Sequence, residues 1–221
     1  MEKNTVNFDG IQNNNNNSFQ SIIRERIKQS ISTKEKVLET LGPQIDLLIK
    51  KAIECYKKGG KLIFLGNGGS ASDAQHLAAE LVNKQYFDRP MLDALALNVN
   101  SSVITAIGND SSYDYIFSRQ IESLAKPHDI IIAITTSGNS TNIINAVKRS
   151  HEKGVYTVLF TGLSGGKLMK EFSDTIHLLI NVPSLDTARI QECHIMIGHI
   201  MCELIEKELF KDYIGSGYKI T

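Results

Sequence analysis

The chain has 221 residues, 42% of them hydrophobic and 22% charged, which suits one compact domain plus appendages. Lys and Arg together number 24, as do Asp and Glu, so no net field draws in nucleic acid or an anionic membrane. No apolar run approaches the ~18 residues of a membrane span and no basic-then-apolar signal opens the chain, so a soluble, cytoplasmic protein is expected, without nucleic-acid or membrane partners.

Residues 1–17, "MEKNTVNFDGIQNNNNN", are Asn-rich and poor in packable side chains, and a disordered leader is expected there. From Ser18 to Lys58 apolar residues such as Ile23, Ile27, Ile31, Val37, Leu41, Ile45, Leu48 and Ile49 recur at spacings of three and four. That spacing predicts helix, in two segments joined near "TLGPQ", where Gly42 and Pro43 interrupt the pattern. So apolar a helical leader needs a partner beyond its own turns, which points to packing between copies of the chain. Strands are predicted at 61–66, 94–99, 129–136, 157–162 and 175–182, with helices at 70–84, 113–125 and 140–153 among the segments between them. The strands are continuously apolar rather than alternating, which predicts a parallel sheet buried on both faces, with helical crossovers. A long helix from about Thr187 to Phe210 closes the pattern, and residues 211–221 read as a loose tail. With no internal repeat and no second core, residues 18–210 form a single α/β domain in this reading. Cys55, Cys193 and Cys202 form no CxxC pair and sit in apolar helical settings, as buried reduced thiols do.

Three stretches can carry chemistry. "GNGGSAS", Gly66 to Ser72, follows an apolar strand, and its glycines let backbone N–H groups approach an anion at a helix N-terminus. It does not complete GxGxxG, because Ala71 stands at the third glycine, and no P-loop lysine follows; a purely structural strand-to-helix turn is an equal reading. "TTSGNS" offers four hydroxyls, on Thr135, Thr136, Ser137 and Ser140, before another helix, whereas N-capping needs one. That surplus favours phosphate binding. Finally His76 and Glu80 share a helix face and can converge on one metal ion or one substrate carbon, although such a pair is more often a surface hydrogen bond. The closing helix adds Gln191, His194 and His199. Gln191 and His199 lie about 80° apart around that helix and ~12 Å apart along it, so they meet one ligand only if it lies between them. His194 is rotated away and reads as structural; His128, His151 and His177 have no evident partners.

Together "GNGGSASDAQHLAAEL", "AIGND" (106–110), "TTSGNS" and "DTARIQECHIMIGHIMCELIE" resemble, in order, the motifs of the sugar isomerase (SIS) domain family, and more narrowly the phosphoheptose isomerases. The resemblance covers roughly Ile31 to Phe210. It implies a flavodoxin-like three-layer αβα sandwich with a five-stranded parallel sheet, and a homotetramer with active sites at subunit interfaces. The implied activity converts D-sedoheptulose 7-phosphate into D-glycero-D-manno-heptose 7-phosphate, toward ADP- or GDP-activated heptose for lipopolysaccharide or capsule. Carried over by motif, Ser70, Thr136, Ser137 and Ser140 grip the phosphate, with Thr135 where many relatives have serine. Asn67 and Asp110 line the sugar, with Gly68, Gly69 and Gln191 beside it. Glu80 and His199 become the acid/base pair, and His76, Glu80, Gln191 and His199 become ligands of a zinc ion. Lys84 and Ala188 depart from the arginine and aspartate found in relatives, which touches fine substrate contacts rather than the reaction class. Two rivals differ: a non-catalytic SIS protein that binds the bacterial replication initiator, which "ALNVNSSVITAI" resembles but which lacks a glutamate matching Glu80, and an isomerase of another sugar phosphate, which usually lacks the RIQxxH helix.

Overall fold

A computed structural model describes residues 19–220, so the leader expected over residues 1–17 lies outside the described residues. The chain order is α1 (Phe19–Lys57), β1 (Leu62–Gly66), α2 (Gly69–Val82), β2 (Ala94–Ala96), α3 (Ser101–Asp110), α4 (Ser118–Leu124), β3 (Ile130–Ile134), α5 (Thr141–Glu152), β4 (Tyr156–Gly162), α6 (Gly166–Glu171), β5 (Leu178–Val182) and α7 (Thr187–Leu209). The five strands pair in parallel in the order β2-β1-β3-β4-β5. Successive strand side chains enter opposite cores. Leu62, Phe64, Ile130, Ile132 and Ile134 pack with α1, α2 and α7, while Ile63, Leu65, Ile131 and Ala133 pack with α4, α5 and α6. This is the expected αβα sandwich, and it explains why every residue of β1 and β3 is buried. Cys55, Cys193 and Cys202 are buried free thiols, and among the described residues no helix is long and apolar enough to cross a membrane.

The N-terminal region corrects the expectation of two helices. α1 runs unbroken for 39 residues with Pro43 inside it. An internal proline costs a helix about 3 kcal/mol. Val37 and Leu41 before it, and Leu48, Ile49, Ala52 and Cys55 after it, are all buried in the same core as α7. Burying a Val or Leu side chain is worth about 1.5–3 kcal/mol, so that shared face outweighs the proline. The helix expected over 113–125 is also divided, into a 3₁₀ turn at Tyr113–Tyr115 and α4, with the Ser112 hydroxyl accepting from Asp114 N–H. α3 and α6 were not foreseen; α3 starts where the Asn100 side chain accepts from Val103 N–H. After Phe210 the chain turns back, with Tyr213 edge-on to both Phe210 and Tyr218.

Candidate active site

β1 and β3 are neighbours, with Gly66 opposite Ile134, so the loops at their carboxyl ends lie side by side. The chain leaves β1 toward β2 on one side and β3 toward β4 on the other. In open parallel sheets that divergence opens a crevice where ligands bind. The two loops there are the glycine turn and "TTSGNS".

Their junction is a reciprocal amide pair. Asn67 Nδ2 donates to Asn142 Oδ1 at 2.8 Å, and Asn142 Nδ2 donates back to Asn67 Oδ1 at 2.9 Å. The Tyr113 hydroxyl also donates to Asn67 Oδ1, at 3.3 Å. Asn98 Nδ2 donates to the Gly66 carbonyl at 2.6 Å, tying the end of the β2 segment to the same turn. Asn142, Tyr113 and Asn98 were not singled out in the sequence, because an asparagine or tyrosine in a loop has no spacing signature. Asp110 is exposed at the end of α3, three residues before Tyr113, and accepts from Asn109 Nδ2 at 2.8 Å.

The glycines have separate jobs. Gly68 precedes α2 at φ 57°, a left-handed conformation that L side chains rarely adopt, and it caps the helix without a side-chain bond. Gly69 lies against α7: a Cβ there would stand 2.6 Å from Gln191 Nε2. Ser70 is buried in the first turn of α2. On the second loop the buried Thr135 hydroxyl accepts from Gly138 N–H at 3.3 Å, and Ser137 Oγ accepts from Asn139 N–H at 3.2 Å, so both shape the loop. Ser140 is the N-cap residue of α5 but makes no side-chain cap bond, which leaves its hydroxyl free of the ordinary capping task. Thr136 is half-buried. A Cβ on Gly138, which has φ 65°, would run into the Gly165 carbonyl, so two glycine turns interlock under this loop.

α7 runs alongside α2 in the same direction. Gln191 in its second turn meets Gly69, and His199 two turns later meets His76. What allows this approach is Gly198, where a Cβ would stand 2.5 Å from Leu77 Cδ2. His76 Nε2 and His199 Nε2 are 2.8 Å apart with the rings edge-on. Two lone pairs cannot face each other so closely, so the pair shares a proton, one ring donating and the other accepting. Glu80 Oε1 stands 3.6 Å from His76 Nε2, too far for a hydrogen bond but close enough for a charge contact. Glu80 is largely buried at 20% side-chain exposure, whereas His76 is open at 48%. Among the described residues no three His, Cys, Asp or Glu side chains group closely enough to hold an ion by themselves.

One turn before His76, burial pushes the Asp73 carboxyl up to about 6, with the histidine pulling it partly back. His194 is fully buried, as its rotation away from His199 implied. Its Nε2 lies 3.2 Å from the Thr161 carbonyl, its Nδ1 has no partner, and burial lowers it to about 4. Like His194, His177 has a structural contact, its Nδ1 accepting from Thr157 N–H at 3.1 Å. Arg89 and Glu206, which no sequence motif marked, form a buried ion pair at 3.1 Å behind Glu80.

The SIS-domain family model matches residues 27–162. A phosphoheptose isomerase of Clostridium acetobutylicum is 48% identical over 198 residues, covering 89% of this chain and 99% of the relative. One of Aneurinibacillus thermoaerophilus is 47% identical over 192 residues, covering 86% and 95%. The structure of a phosphoheptose isomerase from Neisseria gonorrhoeae superposes with a TM-score of 0.79 at 39% identity, covering 86% of this chain and all of that one (100%).

Proposed function

The chain belongs to the SIS-domain family, and within it to the phosphoheptose isomerases, and from that premise we propose that it interconverts D-sedoheptulose 7-phosphate and D-glycero-D-manno-heptose 7-phosphate. The observation that carries this reading is the meeting of Glu80, His76 and His199 beside two loops suited to an anion. Glycine-turn and helix-terminal N–H groups, with Ser70, Thr136, Ser137 and Ser140, hold the phosphate without a lysine. Asn67, set by its amide pair with Asn142, faces the sugar together with Asp110 and Gln191.

In the ketose-to-aldose direction the Glu80 carboxylate takes a proton from C1 while His199 donates one to the C2 oxygen, giving the enediol. Glu80 then returns its proton to C2 and His199 recovers one from the C1 oxygen, leaving an aldehyde at C1. The contact with His76 orients the His199 ring. The nitrogen and oxygen donors of His76, Glu80, Gln191 and His199 are of the kind zinc accepts. Of these, His76 stands against both His199 and Glu80, while Gln191 lies against Gly69. When bound, the ion supplies positive charge to the developing enediolate oxygens.

Self-association as a homotetramer is supported by an apolar stripe on α1, where Phe19 is 84% and Leu38 80% exposed and Ile23, Ile27 and Ile31 lie between them. A cytoplasmic enzyme feeding nucleotide-activated heptose for lipopolysaccharide or capsule completes the reading. The test is incubation of purified protein with sedoheptulose 7-phosphate, followed by NMR of the anomeric protons. Appearance of the aldose is expected; no turnover with or without added zinc refutes the proposal.

A further inference from the structure

Helix α2 ends with no basic residue in its last turn. Its final carbonyls lack partners within the helix and must find them elsewhere. A single side chain from the following loop answers most of this need. Arg89 is 1% exposed, its Nη2 donates to the carbonyl of Glu80 itself at 3.0 Å, and its Nη1 donates to Leu81 at 2.8 Å and to Pro90 at 2.9 Å. Its Nε donates to Glu206 on α7, which is completely buried, at 3.1 Å. Glu206 also accepts the backbone N–H groups of Gln85 and Tyr86, at 3.2 and 3.0 Å. The Phe210 ring covers the guanidinium at 5.3 Å.

Burying an ion pair is a poor way to gain stability, since an apolar pair of similar volume often serves as well or better. What this pair does that an apolar one cannot is direct four of the guanidinium's fixed donors to defined acceptors. Two pins therefore join α2 to α7. One is the His76–His199 contact, and the other is Arg89–Glu206, two turns further along α7.

We propose that Arg89 is a positioning residue: its guanidinium, anchored on Glu206, holds the last turn of α2 against α7 and so sets where Glu80 and His76 stand relative to His199. The inference rests on the reading of Glu80 and His199 as the proton-transferring pair. Arg89→Lys keeps the charge opposite Glu206 but cannot span the carbonyls of Glu80, Leu81 and Pro90. Glu206→Gln keeps those carbonyl bonds and, through its amide oxygen, the anchoring bond from Arg89 Nε, and removes only the charge.

The experiment measures kcat and KM for sedoheptulose 7-phosphate per folded molecule, together with the imidazole nitrogen resonances of His76 and His199. For Arg89→Lys, kcat is expected to fall at least about tenfold with KM within about threefold, and the two imidazole signals to shift. For Glu206→Gln, kcat stays within about threefold and the imidazole signals stay in place, although thermal stability drops. Losses that are equal in the two variants and follow the folded fraction overturn the proposal, as does wild-type kcat in Arg89→Lys. Should either single variant not fold, the double variant Arg89→Met/Glu206→Leu, which removes both buried charges, decides: slow turnover in folded protein supports positioning, and wild-type turnover overturns it. A wild-type protein that does not turn over the sugar phosphate refutes the isomerase reading instead. The imidazole signals then decide alone, with a shift confined to Arg89→Lys supporting the clamp and no shift overturning it.

Discussion

Gly198 is the residue that lets α7 lie close enough to α2 for His199 to reach His76, and Gly198→Ala tests that directly. A Cβ at this position would stand 2.5 Å from Leu77 Cδ2, 2.6 Å from Cδ1 and 3.1 Å from Cγ. Carbon atoms in contact prefer about 3.5–4.0 Å, so the helices must part by roughly 1 Å or Leu77 must turn. Leu77 has 0% exposure and sits in the core shared by α1, α2 and α7, which leaves it little room. Overpacking of this kind costs about 1–3 kcal/mol, while alanine in place of glycine inside a helix returns about 1 kcal/mol. The net loss is therefore about 0–2 kcal/mol, a fall in Tm of about 0–8 °C for a domain of this size. Activity is far more exposed to the change, because a displacement of about 1 Å at reacting groups costs on the order of a hundredfold in rate. Thermal melts and initial rates on sedoheptulose 7-phosphate are expected to show a small drop in Tm beside a large drop in kcat. Leu77→Ala alone should cost about 2–5 kcal/mol, and combining it with Gly198→Ala should recover at least about 1 kcal/mol of the summed losses. Wild-type kcat in Gly198→Ala, with additive losses in the double variant, would refute the reasoning.

Glu80→Gln should fold normally and bind a phosphate-bearing inhibitor as the wild type does, with kcat reduced by about a hundredfold or more, because an amide of the same shape accepts no proton; isothermal titration and rates measured together check both halves. Gly138→Ala places a side chain at φ 65° against the Gly165 carbonyl, so the hydroxyl loop must shift. It should raise KM for the sugar phosphate at least about tenfold, from strain and clash of a few kcal/mol, and an unchanged KM would detach this loop from phosphate binding. His194 should make stability sensitive to acid. Burial lowers it from 6.5 to about 4, so below pH 6.5 the unfolded chain takes up a proton that the folded chain refuses. This contribution is complete above about pH 6.5 and is lost as pH falls toward 4, by about 3 kcal/mol in all. Asp73, raised from 3.8 to about 6, acts in the opposite sense, losing stability as pH rises between those values. Comparing urea unfolding of the wild type and His194→Gln at pH 7 and pH 5 isolates the histidine, and equal pH dependence in the two proteins would contradict its assignment.

Much of the architecture was legible because it is written locally. The apolar runs that became β1, β3, β4 and β5, and the periodic helices α2, α5 and α7, were each placed to within a few residues. The errors lie where packing overrides a local signal. Pro43 reads as a break, yet the buried faces on either side of it hold one helix together. α3 and α6 are short, and their apolar spacing is too brief to separate from loop. In the candidate site, the glycine turn, the hydroxyl loop and the His76–Glu80 pair could be read from spacing. The Asn67–Asn142 amide pair joins residues 75 apart in sequence, and the Arg89–Glu206 pair residues 117 apart.

Periodicity, caps and glycine turns belong to contiguous residues, so the sequence by itself determined the α/β class, the order of elements and the residue types available for phosphate and proton chemistry. Tertiary structure alone decided which of those residues meet. The strand order brings the two loops together, and the missing side chain at Gly198 sets how near α7 comes to Leu77. That approach set Gln191 against the start of α2 and made a pair of His76, in the middle of α2, and His199, 123 residues apart. Such distances follow from the volumes of side chains packed between helices, which no spacing along one segment contains.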